Sequence, residues 1–227
     1  MSALLDGVYD GDHTIGQLLR HGDFGLGTFD SLDGELLVLD GVAYRMRADG
    51  GVTAAAYDDR TPFAVITAFV SHARREISTS ATRAEIVELL ADLVPSQNYL
   101  YAIRIRGRFA VVRTRTVIRQ SRPYRPLVEV TSGEPVLEHR EVVGTVAGFR
   151  TPLYERGIGV PGGHVHFVDE SLRTGGHVLD FVLDHGTLEV CIGTDLHLAL
   201  PMTAEFASAH LDPEDLDTQI EHTERHH

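Results

Sequence analysis

Lysine is absent from this 227-residue chain, and all 20 basic residues are arginine. With no side-chain primary amine, Schiff-base chemistry and pyridoxal phosphate attachment are excluded. Tryptophan is missing too, and Cys191 is the sole cysteine. That removes internal disulfides, thiolate zinc knuckles and iron–sulfur clusters together, so any metal must be held by imidazole and carboxylate. Positive charge is scarce: 33 acids against 20 bases give a net charge of -13, which disfavours a nonspecific grip on nucleic acid. No apolar run reaches the length of about eighteen residues that a membrane span needs. The stretch MSALLDGVYDGD carries early acids in place of a basic and then apolar leader. A cytoplasmic protein with neither nucleic-acid nor membrane partners is expected.

What is present suits a packed core, with 43% of residues hydrophobic. Thr14-Ile15-Gly16-Gln17 has capping-box form ahead of Leu18 and Leu19, and Gly22 stops the short helix. Segments 35–38 and 42–47 flank Asp40-Gly41 and read as a strand meander, with a further strand over 62–70. Thr82-x-x-Glu85 caps an amphipathic helix whose apolar face is Ile86, Leu89, Leu90 and Leu93, closed by Pro95. Segments 99–105 and 109–118 read as a hairpin about Gly107. Alternation along the second strand puts Phe109, Val111, Arg113, Arg115 and Val117 on one face. Further strands are predicted at 141–149, 164–168, 177–183, 187–192 and 195–200, and Asp212-Pro213 starts a final helix. The expected fold is mixed α/β (α+β) with few helices. Residues 1–125 form an N-terminal α/β part with a mixed sheet, and 126–227 a mostly antiparallel, β-rich part with a terminal helix.

GGHVHFVDESLRTGGHVLD, residues 162–180, carries three histidines in a strand-like context. Thirteen histidines in a chain of this length give about 0.7 accidental H-x-H pairs, so His164-Val165-His166 alone proves little. On a strand, however, residues i and i+2 share a face. Gly175-Gly176 then allows His177 to return beside them on the next strand. Three imidazoles from one hairpin make a facial set with open positions, the arrangement of a catalytic divalent metal. Histidines satisfied by ordinary hydrogen bonds fit the same pattern, and the residues alone leave both readings open.

HGDFGLGTF (21–29), LDGE (32–35), TPFAV (61–65), YAIRI (101–105), RTRTV (113–117), GFRTP (148–152), the H-x-H-F segment and GGHVLD (175–180) follow one another in an order that resembles the α-acetolactate decarboxylase family over nearly the whole chain. The resemblance implies a dimeric zinc enzyme of mixed α/β fold, with its metal site in the β-rich second half. It would convert (S)-2-acetolactate to (R)-acetoin and carbon dioxide in the acetoin and butanediol branch of fermentation. Carried over residue by residue, the zinc ligands are His164, His166 and His177. Thr28, Glu35, Arg115 and a glutamate near the C-terminus complete the site; of Glu221 and Glu224, Glu224 fits that last position better.

The chemistry implied needs these groups. Loss of carbon dioxide from a β-keto acid sends an electron pair toward the ketone as an enediolate. With imine formation excluded, a metal acting as Lewis acid is the remaining cation. Arg115 would offer a permanently charged planar group to the carboxylate or the enediolate oxygen, with Arg113 beside it as structural partner. Protonation on one face calls for a fixed donor, Glu35 first and Glu224 second. Thr28, in a glycine-rich turn, would bond substrate oxygens or shape the backbone. Turn and cap duties account for Asp23, Asp33 and Asp169. Two rival readings remain: a cupin-type site using His164, His166 and Glu170, and a noncatalytic metal or small-molecule binding domain.

Overall fold

The computed structural model describes residues 1–131, 133–213 and 216–224, with the side chains of Glu221, His222 and Glu224 outside the described residues. After α1 (Ser2–Leu5), a ribbon pairs β1 (His13–Thr14) with β6 (Arg60–Thr61). Thr14 caps α2 (Ile15–Leu18) through the expected capping box, exchanging hydrogen bonds with Gln17. The strands β2 (Phe24–Thr28), β3 (Glu35–Leu39), β4 (Val42–Met46), β5 (Val52–Ala54) and β7 (Phe63–Thr67) form one sheet in the order β5-β4-β3-β2-β7. Asp40 and Gly41, with φ of 50° and 80°, make the two-residue turn that joins β3 to β4. Both left-handed positions suit the twist of the flanking strands.

β3 is buried on both faces. Leu36 and Val38 pack with Ile15 and Leu18 of α2, while Leu37 and Leu39 pack with Ala147, Phe149 and Val168 of the second sheet. Strand alternation therefore turns Glu35 toward the second sheet along with Leu37. Thr28, paired with Glu35 and two residues beyond Leu26, takes the same face.

The second sheet holds β8 (Ala73–Ile77), β9 (Ala81–Thr82), β10 (Leu100–Arg115), β11 (Val136–Thr151), β12 (Gly162–Asp169) and β13 (Gly175–Gly193). β10 pairs with both β11 and β13, and β12 closes the gap between those two, so four strands join in a ring. Phe109, Val112, Val146, Phe167, Phe181 and Leu188 pack into one core on this sheet. The predicted helix is α3 (Arg83–Leu93), with Thr82 in a complete capping box. It lays Ile86, Leu89, Leu90 and Leu93 on this core. Three further helices follow: α4 (Leu127–Val130), α5 (Ala204–Ser208) and α6 (Leu216–Glu224). Ile220 of α6 is buried against Met1, Leu4, Leu32 and Leu127. Among the described residues no helix is long and apolar enough to cross a membrane.

The mixed α/β class expected from the sequence holds, with several corrections inside it. Every strand ladder described is antiparallel, where a mixed sheet was expected in the N-terminal part. Short turns join neighbours such as β3 and β4, and a parallel pair needs a longer crossover. Gly107 is no turn: β10 runs through it, opposite Gly144 on one side and Gly186 on the other. A Cβ at Gly107 would lie 2.3 Å from the His185 carbonyl oxygen, and one at Gly186 2.4 Å from that of Arg106. These glycines permit close strand approach, which is also why the strands expected at 177–183 and 187–192 are one. The face expected to hold Phe109, Val111, Arg113, Arg115 and Val117 is broken by register shifts on either side of Phe109 and between Arg113 and Thr114. The extra residues are Ala110 on β10 and Asp184 and Leu179 on β13; such bulges break the alternation, and Arg113 is exposed while Arg115 is buried. No strand forms at 195–200; the segment is exposed, Leu196, Leu198 and Leu200 included.

Candidate metal centre

The register of the closed ring sets out the site. His177 of β13 stands opposite His166 of β12 on one side and Arg115 of β10 on the other. His164, two residues before His166, pairs with Phe149. The three imidazole centroids are 5.2, 5.0 and 5.6 Å apart, and one ligand nitrogen from each lies within 4.8 Å of the others. His166 and His177 are buried, and His164 keeps part of its residue surface exposed.

Burial holds the three rings neutral. His164 is pushed down to about 3 by desolvation and then by the charge of Arg115. His166 is driven well below its ordinary 6.5 by burial and by His164, against a smaller upward pull from the Leu36 carbonyl. His177 follows for the same first reason, with His164, Arg115, His166 and Arg83 adding to it. A neutral ring offers a lone pair, the form in which imidazole ligates metals.

His166 fixes which nitrogen carries that lone pair. Its Nδ1 lies 2.9 Å from the Leu36 carbonyl oxygen, which can only accept, so Nδ1 is the protonated nitrogen and Nε2 is bare. Nε2 is buried with no hydrogen-bond partner among the described residues, and Glu35 Oε2 is 3.6 Å away. A bare nitrogen facing a carboxylate oxygen in a dry site is satisfied by a cation between them. The residues present therefore fit a divalent ion.

The cavity beside the rings measures about 40 Å³. Thr28, Glu35, Arg115, His164, His177 and Thr223 supply polar lining, opposed by Leu32, Phe63, Val117 and Leu127. Glu35, 7% exposed, accepts at Oε1 from the Val117 amide at 3.3 Å. Thr28 donates to the Gly34 carbonyl at 2.9 Å, the backbone-shaping role, while still lining the cavity. Arg115 Nη1 meets Glu134 Oε2 at 2.9 Å, and Nη2 donates to the Thr223 carbonyl of α6.

Of the residues read from the sequence, the structure brings His164, His166, His177, Glu35, Thr28 and Arg115 together. Glu224 ends α6, one residue past the cavity-lining Thr223, but its side chain, like that of Glu221, lies outside the described residues. Glu170 is exposed and stands outside the histidine group; it follows β12 in a turn, so the cupin ligand set does not assemble. Asp169 keeps its turn role, accepting from the Arg173 and Thr174 amides. Burial would raise its carboxyl, yet those bonds and the Ser171 hydroxyl hold it below the usual range. Asp23 likewise accepts from the Phe69 amide, and Asp33 pairs with Arg45. Sequence reasoning missed Glu134, the Leu36 carbonyl and Thr223. Only Glu134 left a trace, standing before Pro135, which restricts it to extended backbone.

The family model described as Alpha-acetolactate decarboxylase matches residues 1–213. A curated alpha-acetolactate decarboxylase of Bacillus subtilis (strain 168) is 45% identical over 224 residues, covering 99% of this chain and 88% of that protein. One from Klebsiella aerogenes is 43% identical over 224 residues, 99% and 86% of the two chains. The crystal structure of alpha-acetolactate decarboxylase from Bacillus subtilis strain 168 matches with a TM-score of 0.98 at 44% identity, covering 100% of this chain and 97% of that one.

Proposed function

Because the chain belongs to the alpha-acetolactate decarboxylase family, we propose that it converts (S)-2-acetolactate to (R)-acetoin and carbon dioxide, serving acetoin and butanediol formation in the cytoplasm. The observation that carries this reading is the neutral histidine trio whose bare His166 Nε2 faces Glu35 at the edge of a small cavity. Zinc is the proposed ion, with His164, His166 and His177 to hold it; when bound it supplies a Lewis acid for the charge left as carbon dioxide departs.

The chain's own groups do the rest. Two named contacts use two of the five N–H donors of Arg115. Others remain to orient the substrate carboxylate and to meet the oxygen on which negative charge develops. The apolar wall of Leu32, Phe63, Val117 and Leu127 excludes water, so the enediolate meets no stray proton. Glu35 Oε1 is engaged by the Val117 amide and Oε2 is turned toward His166, and this fixed carboxyl group delivers a proton to carbon from one side. Delivery from one side gives a single acetoin enantiomer. Glu224 is the second candidate for this proton. Thr28 holds the Gly34 turn from which Glu35 extends.

The expected homodimer belongs to this proposal, and the exposed Leu196, Leu198 and Leu200 supply apolar surface of the kind a second copy covers. The deciding experiment supplies racemic acetolactate with and without a strong chelator and resolves the acetoin formed. Chelator-sensitive carbon dioxide release with one enantiomer in excess is expected. A zinc-loaded protein that releases none would instead be a binding domain, and racemic acetoin would remove the fixed donor.

A further inference from the structure

Arg115 is held by a residue that stands outside the cavity. Its side chain is 6% exposed and that of Glu134 3%, so the ion pair between them is dry on both sides. A charge buried this far is strongly unfavourable once its counter-charge is removed. Glu134 arrives from the turn before β11, two residues short of Val136, which pairs directly with Arg115. With Pro135 restricting its backbone, the carboxylate has little freedom to follow a wandering arginine.

The other end of the guanidinium reaches α6. Arg115 Nη2 donates to the Thr223 carbonyl in the last turn of that helix, where carbonyls lack helical partners and favour a cation. Thr223 is buried and lines the cavity. Nε of Arg115 is buried with no hydrogen-bond partner among the described residues. One guanidinium thus spans a fixed carboxylate, the closing helix and the cavity.

We propose that Glu134 is a positioning residue: it sets the Arg115 guanidinium so that the same group presents its remaining donors to the substrate and latches α6 over the cavity. Substrate orientation and closure by the C-terminal helix are then one coupled event. The catalytic half of this rests on the proposed decarboxylation; the latch half does not.

The test uses zinc-loaded full-length protein with Glu134→Gln, which keeps the shape and removes the charge, and Glu134→Asp, which keeps the charge. Amide hydrogen exchange is followed over 216–224 and, as a reference for the whole fold, over α3; kcat and KM are measured on acetolactate. In Glu134→Gln, exchange over 216–224 quickens at least tenfold while α3 is unchanged, and kcat/KM falls about tenfold, chiefly through KM. Glu134→Asp recovers part of both. Unchanged exchange over 216–224 overturns the latch, as does equal loss of protection in α3, which marks a merely structural pair. Wild-type kcat/KM in Glu134→Gln overturns the coupling to substrate. If Glu134→Gln is not recovered folded, Glu134→Asp decides by the same readouts. Failure of the wild type to decarboxylate acetolactate would sink the activity and leave the exchange comparison standing.

Discussion

At the scale of single residues the site rests on one nitrogen and one oxygen. His166 Nε2 is bare because Nδ1 is committed to Leu36, and Glu35 Oε2 is its neighbour at 3.6 Å. Glu35→Gln keeps the volume and removes the acid, so turnover is expected to fall at least about 100-fold with zinc retained; metal analysis beside steady-state rates checks this. Turnover within twofold of wild type in both Glu35→Gln and Glu224→Gln would end the donor assignment. Truncating His166 to Ala removes a proposed ligand, and purified protein should then carry far less than one zinc per chain. The histidines were legible because strand alternation and a glycine return put them on one face within fourteen residues. Glu134 was not, since an arginine's counter-ion nineteen positions away leaves no period to read.

At the scale of elements, local signals translated well where the element is stabilised locally. The Thr82–Glu85 capping box and the Ile86, Leu89, Leu90, Leu93 stripe gave α3 directly. Thr82→Ala should destabilise the protein by about 1 kcal/mol in chemical denaturation, with activity unchanged, through loss of the cap to the Glu85 amide. The same local reading failed at Gly107 and at the break expected between 183 and 187, where Gly186 sits, because glycine marks a turn and a close strand crossing with the same letter. Gly107→Ala distinguishes them: at a turn it would be mild, whereas here the new Cβ meets the His185 carbonyl. A clear loss of thermal stability is expected. The parity of Arg113 and Arg115 failed for a related reason, since bulges are written in the partner strand as much as in the strand itself.

At the scale of the whole molecule, the buried trio makes stability depend on pH. The three imidazoles titrate below 6.5 in the fold, His164 at about 3, so the unfolded chain binds protons that the folded chain refuses. Stability of metal-free protein is therefore full above pH 6.5 and falls as the pH drops through the window below it. Denaturation midpoints measured from pH 8 to pH 4 should show that fall, and the slope should be shallower in His164→Asn. Equal slopes would mean the His164 ring is charged or exposed in the fold. Light scattering should give twice the mass of one chain; a single-chain mass would refute the homodimer.

The sequence by itself determined the chemistry available, namely no side-chain amine, no thiolate cluster and three histidines on one hairpin, together with those elements whose caps and turns lie within a few residues of one another. Tertiary structure decided where that chemistry converges. The contacts from Glu35 to Val117, from Leu36 to His166 and from Arg115 to Thr223 join residues 82, 130 and 108 positions apart. Pairings of such range arise from closing a ring of four strands against a second sheet, and a chain read in windows of ten or twenty residues holds no periodicity that encodes them.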